Sequence, residues 1–132
     1  MIRIVAVVMA GALACLTAPA FCADPPDIHV DVPSNRAGLE VNVVEHDFQP
    51  GQSSGWHIHH GTEIAYVLSG ELNVQIGAGP IRQVRPGDTF EVDRDTPHRA
   101  TNDGTTTAAL LITYLRDKKG PLKIDVPPPA IR

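Results

Sequence analysis

Hydrophobic and polar positions alternate in short bursts along most of the chain. Leu39, Val41 and Val43 are interleaved with Glu40, Asn42 and Val44, and the turn Pro50-Gly51 follows. Trp56 to His60 and Glu63 to Leu68 come next, and Ser69-Gly70-Glu71 forms a tight turn into Leu72 to Ile76. Gly77-Ala78-Gly79-Pro80 breaks the chain before Ile81 to Val84, and Pro86-Gly87-Asp88 breaks it before Thr89 to Val92. His98 to Thr101 is short, Asn102-Asp103-Gly104 is a turn, and Thr105 to Leu115 closes the run. Side chains of a strand point to alternate faces, so each burst reads as a strand with one buried side. Strands repeating at roughly 8 to 12 residues predict an all-β barrel or sandwich. No segment beyond residue 23 carries a helical period.

The two ends depart from this pattern. Arg3 precedes an uncharged apolar run from Ile4 to Leu16, followed by small residues at Ala18, Ala20 and Ala23. The run is shorter than the ~20 residues that a bilayer span needs. Residues 1–23 therefore read as a cleaved export signal, which places the mature chain in the periplasm or outside the cell. Cys15 after Ala12-Leu13-Ala14 resembles a lipoprotein box, but Ala12 stands where leucine is usual. Residues 24–36 form a Pro- and Asp-rich arm in which Ile28, Val30 and Val32 allow an edge strand ending at Pro33. Residues 117–132 form a Pro-rich tail in which Leu122, Ile124 and Val126 allow a last edge strand.

Composition narrows the partners. The 132 residues carry 15 acidic and 11 basic side chains, a net charge of −4, and loss of the signal removes one more cation. That balance argues against nucleic acid and against an anionic membrane surface. Both cysteines, Cys15 and Cys22, lie in the signal, so the mature domain has no disulfide pair. A core of this size folds alone, and a homodimer would help to cover it.

Histidines supply the chemistry. His57 and His59 fall two apart in one strand, so both project from the same face roughly 6 to 7 Å from each other. Glu63 follows across Gly61, a residue that allows a bend returning the carboxylate to that face. His98 opens a later strand that antiparallel pairing would bring alongside. Three imidazoles and a carboxylate leave two positions open on an octahedral ion and suit Fe, Mn, Ni, Co, Cu or Zn over Ca or Mg. His60 points to the opposite face, while His29 and His46 match no pattern and read as solvent-exposed. Trp56 and Ile58 lie on the face away from the metal. Ala65, Val67, Val74, Phe90 and Ala100 are the candidates for an apolar pocket.

The run Gly51 to Gly70, GQSSGWHIHHGTEIAYVLSG, resembles the first motif of the cupin superfamily at each defining position, and Gly87 to Asn102, GDTFEVDRDTPHRATN, is similar to the second. Asp93 stands where that family usually has proline, and Asp95 where it has glycine. The resemblance implies a single double-stranded β-helix, or jelly roll, over residues 37–116. It also implies one divalent transition metal held by His57, His59, Glu63 and His98, and commonly a homodimer. Family chemistry ranges widely, so a small-molecule enzyme of the quercetin-dioxygenase-like kind, with Glu63 as catalytic base, stands beside isomerase, lyase and non-catalytic binding roles.

Overall fold

The computed structural model describes residues 28–31 and 38–130. The expected export signal and most of the N-terminal arm lie outside these residues. Ten strands and no helix make up the described chain: β1 (Ile28–Asp31), β2 (Leu39–Phe48), β3 (His57–Ile58), β4 (Gly61–Ser69), β5 (Leu72–Ile76), β6 (Arg82–Val84), β7 (Thr89–Val92), β8 (His98–Thr101), β9 (Ala108–Asp117) and β10 (Ile124–Asp125). The architecture is the expected all-β jelly roll. Both edge strands allowed by the sequence are present, β1 from the arm and β10 from the tail.

The strands form two antiparallel five-stranded sheets, ordered β1-β2-β9-β4-β7 and β10-β3-β8-β5-β6. The longest pairing joins β2 to β9, from Leu39 opposite Asp117 to Phe48 opposite Ala108. The chain changes sheet between β3 and β4. At that crossing the backbone of Gly61 runs so close to β9 that an added Cβ would meet Arg116 Cα at 2.5 Å. Gly61 lies within β4 and has no positive φ. The expected role of Gly61 as a flexible bend is thus corrected: its missing side chain is what the fold uses.

The inner faces of the two sheets meet over an apolar core. Leu72, Val84 and Val74 from one layer pack with Val67, Val92 and Leu110 from the other, and all are almost fully buried. Each such side chain contributes about 1.5 to 3 kcal/mol relative to exposure. The alternation read from the sequence follows this division, since Ala65 and Val67 on β4 are buried while Ile64, Tyr66 and Leu68 are exposed. Leu111 and Leu115 on β9 are also exposed; Leu111 lies directly opposite Tyr66, and Leu115 opposite Thr62.

Asn102 joins the two motif regions. Its side-chain amide is fully buried, donating to the carbonyls of Phe48 and Thr106 at 2.8 Å and accepting from the Gly104 N–H at 2.9 Å. Its backbone carbonyl accepts from the Gly51 N–H at 2.8 Å, and its own N–H donates to Gln52 at 2.9 Å. Residues 51–54 therefore run beside the end of β8. The first glycine of one motif is clamped to the last residue of the other.

Candidate metal centre

Backbone register brings the histidines together. His57 on β3 lies directly opposite His98 on β8, and His59 follows two residues after His57 on the same side. Glu63 reaches them from the facing sheet, on β4, where Tyr114 of β9 is its cross-strand neighbour. All four side chains are buried, with exposures of 2% to 6%. One ligand atom from each lies within 4.8 Å of every other. Of the residues singled out in the sequence, these four converge, whereas His60 and His46 are not among them. His60 points outward and bonds the Asp95 carboxylate at 2.5 Å. His46 stands exposed, edge-on to Phe48 with centroids 4.7 Å apart.

Three carbonyls set the direction of the rings. Nδ1–H of His57 donates to Gly55 and that of His98 to Thr96, both at 2.9 Å, and His59 donates from Nδ1 to Leu122. A carbonyl only accepts, so each neutral ring carries its hydrogen on Nδ1 and presents a bare lone pair at Nε2. The Glu63 Oε2 atom sits 2.9 Å from His59 Nε2 and 3.3 Å from His98 Nε2. The buried His59 Nε2 makes no hydrogen bond. Lone pairs facing a carboxylate oxygen at this range repel unless a proton or a cation stands among them.

Electrostatics favours the cation. Burial pushes the His57 imidazole down to about 4, with the His98 and His59 rings adding to the effect against the hydrogen bond to Gly55. An extra proton on that ring is therefore disfavoured at neutral pH. Burial alone would push the Glu63 carboxyl up, but hydrogen bonds and positive charge from the His59 and His98 rings outweigh it and bring it down to about 2, the stabilisation that a proton at Nε2 gives and that a bound cation would replace. A permanent carboxylate beside three aimed imidazoles fits one divalent transition-metal ion in donor type, number and orientation. Exclusion of water from the four groups strengthens the fit, because a buried anion needs a compensating charge.

The site opens into a cavity of about 450 Å³. Val74, Phe90 and Ala100 line it as expected, together with Phe48, Leu110 and Ile112. Ala65 and Val67, the other two pocket candidates, are instead fully buried in the core. Trp56 does lie off the metal face, with the Arg99 guanidinium 5.2 Å from its ring centre. Further contributors also come from outside the two motifs. The Tyr114 ring packs 4.7 Å from that of His59, and burial with the nearby Glu63 charge raises its phenol, which stays protonated. Leu122 and Lys123 come from the tail, and His46 lines the mouth. For Tyr114 the available signal was the alternation Leu110, Ile112, Tyr114 on one inward face.

The comparisons with known proteins agree with this geometry. Residues 44–114, more than half of the chain, match the family model described as Cupin domain. Oxalate oxidase GF-2.8 of Triticum aestivum is 35% identical over 96 residues, covering 66% of this chain and 42% of that protein. Germin-like protein 3-3 of Oryza sativa subsp. japonica is 34% identical over 95 residues, covering 65% and 40%. A solved oxalate oxidase in complex with the substrate analogue glycolate superposes with a TM-score of 0.57 at 34% identity, covering 67% of this chain and 46% of that one. The chain spans less than half the length of each of these relatives. Its two motifs, its paired five-stranded sheets and its histidine–glutamate cluster have one explanation: this chain belongs to the cupin family.

Proposed function

We propose that the chain is an exported, metal-dependent enzyme acting on a small oxygen-rich organic molecule, with His57, His59, Glu63 and His98 as the metal ligands. The observation that carries this reading is the convergence of three carbonyl-aimed imidazoles and an ionised Glu63 at the floor of an apolar cavity. A bound transition metal supplies open coordination positions and Lewis acidity. The protein supplies the rest. Phe48, Val74, Phe90, Leu110 and Ile112 keep water from the reacting face.

Oxygenase chemistry of the quercetin-dioxygenase-like kind is the favoured form. The support is the size and apolar lining of the cavity, which exceeds what a two-carbon dianion fills and suits a planar enediol-like body. The similarity to oxalate oxidases makes oxidation of a small carboxylate the second reading. Glu63 has two roles in either case. With its carboxyl held down to about 2 it serves first as a ligand and is a weak base. Proton acceptance requires a substrate that draws it away from His59 and His98.

Oxygen consumption by the metal-loaded protein tests the reading, with flavonols and other enediols in one arm and oxalate and glycolate in the other. Consumption with enediols alone supports the oxygenase, and consumption with oxalate alone moves the second reading ahead. None in either arm, with ligand binding retained, leaves a binding cupin, or an isomerase or lyase. Export bears on the metal. A chain exported unfolded acquires its ion outside the cytoplasm, where Cu and Zn outcompete Fe and Mn for a given site, so Cu or Zn is the proposed native occupant. The proposed assembly is a homodimer. The exposed Ile64, Tyr66, Leu111 and Leu115 on one sheet face support it, and light scattering after gel filtration measures it.

A further inference from the structure

Two of the three imidazoles are aimed by their own local chain. His57 and His98 each donate from Nδ1 to a carbonyl two residues earlier. His59 differs, because its acceptor is the carbonyl of Leu122, 63 residues further on. That carbonyl lies beyond β9 and outside the region matched to the family, residues 44–114.

The segment that carries it is fastened at several points. Arg116 Nη1 donates to the Gly120 carbonyl at 3.1 Å, and the Lys118 N–H donates to Gly38 at 2.8 Å. The Leu122 side chain packs against the core, and both Leu122 and Lys123 line the cavity. Lys123 Nζ pairs with Asp125 at 2.7 Å. β10 then pairs with β3, Ile124 opposite Ile58 and Asp125 opposite His57, and the Val126 N–H donates to Trp56 at 3.0 Å. The two-residue strand β3 thus carries His57, with His59 immediately after it, while being flanked by β8 on one side and the tail on the other.

We propose that residues 122–126 form a strap that belongs to the metal centre, with Leu122 the positioning residue for His59. The inference rests on the proposed four-ligand site. An imidazole that loses its Nδ1 acceptor is free to rotate and to move its hydrogen to Nε2, which removes the lone pair that a metal needs. Loss of such a supporting hydrogen bond typically lowers metal affinity about 10- to 100-fold. Removal of the strap also turns β3 into an exposed edge and opens the cavity on its Leu122 side.

The test uses the full chain, stripped of metal and titrated with Co²⁺ alone, reading affinity and the visible ligand-field spectrum. Ile124→Pro takes away the strand's N–H and with it the pairing to β3. Leu122→Ala removes the packing that holds the carbonyl in place, and Leu122→Met restores it. Asn102→Ala, which loosens the fold away from the site, is the control for general destabilisation. The expected result is a Co²⁺ affinity about 10- to 100-fold weaker and an altered spectrum in Ile124→Pro and Leu122→Ala. Leu122→Met and Asn102→Ala are expected to keep the original spectrum. Unchanged affinity and spectrum in a folded Ile124→Pro overturn the strap. Should that variant fail to fold, the same result in Leu122→Ala overturns it. Absence of Co²⁺ binding by the unsubstituted chain overturns the four-ligand site itself, which separates the two failures.

Discussion

His57 and His98 face one another as direct cross-strand partners, with ring centroids 4.1 Å apart and planes tilted by 50°. The contact is fixed by the pairing of β3 with β8, so neither side chain is needed to build the backbone that presents the other.

Replacing either histidine should therefore empty the site without dissolving the fold. His57→Ala and His98→Ala are expected to keep the β-sheet circular dichroism of the parent. Elemental analysis of protein isolated from its native host should give one transition metal per chain for the parent and almost none for the variants. Metal retained at the parent's level in both would remove these residues from the ligand set.

Glu63→Gln separates binding from chemistry. The amide keeps the shape of the carboxylate but neither its charge nor its ability to take a proton. Metal affinity should fall about 10-fold or more, while metal supplied in excess still loads the three imidazoles. Turnover should be lost in that loaded state. Turnover that persists there would show that no carboxylate base is required.

In the metal-free protein, stability should decline as the solution is acidified. The His57 imidazole is pushed from 6.5 to about 4 by burial, so between those values the unfolded chain takes up a proton that the folded chain refuses. Stability is full above 6.5 and is lost as pH falls towards about 4. The Glu63 carboxyl, held from 4.5 down to about 2, adds a second decline below 4.5. Urea midpoints measured across this range should slope downward with acid, and His57→Asn should flatten the upper part of the slope.

Asp95 occupies the left-handed region at φ 59°. A non-glycine residue there carries a cost of about 1 kcal/mol. Its carboxylate binds His60 at 2.5 Å and Arg94 at 3.4 Å, and both pairs are exposed, so they return little. Asp95→Gly should leave the thermal midpoint nearly unchanged or raise it. Asp95→Ala keeps the strain and loses the partners, and should lower it. Scanning calorimetry of the two variants distinguishes strain from pairing.

Asn102→Ala strands two buried carbonyls and one N–H that the side chain satisfies. A cost of about 2 kcal/mol or more is expected, read as a shift in the denaturant midpoint without change in slope.

How far the sequence carried can be read from particular residues. The strand pattern was legible where inward and outward positions differ in polarity, as on β7, where Phe90 and Val92 are buried and Thr89 and Glu91 are exposed. The four site residues were legible because their spacing is a local property of two short motifs. What was hidden depends on distance along the chain. The Leu122 carbonyl that aims His59 is a backbone atom, and backbone atoms leave no trace in residue identity. Tyr114 reaches the site by cross-strand register with Glu63, which no spacing rule reports. Gly61 was recognised as special, yet for the wrong property, since a close approach and a bend call for the same residue.

The crossing at Gly61 leaves Glu63 in one layer of the sandwich and His57 and His98 in the other. An ion shared by them would act as a rivet through both layers. The layers would then part only by shedding it, and the ion would leave only when they part. Metal release and opening of the sandwich would become a single kinetic event. The rate at which a chelator strips the loaded protein should then equal the opening rate seen by hydrogen exchange in β4 and β8, and should not respond to chelator concentration.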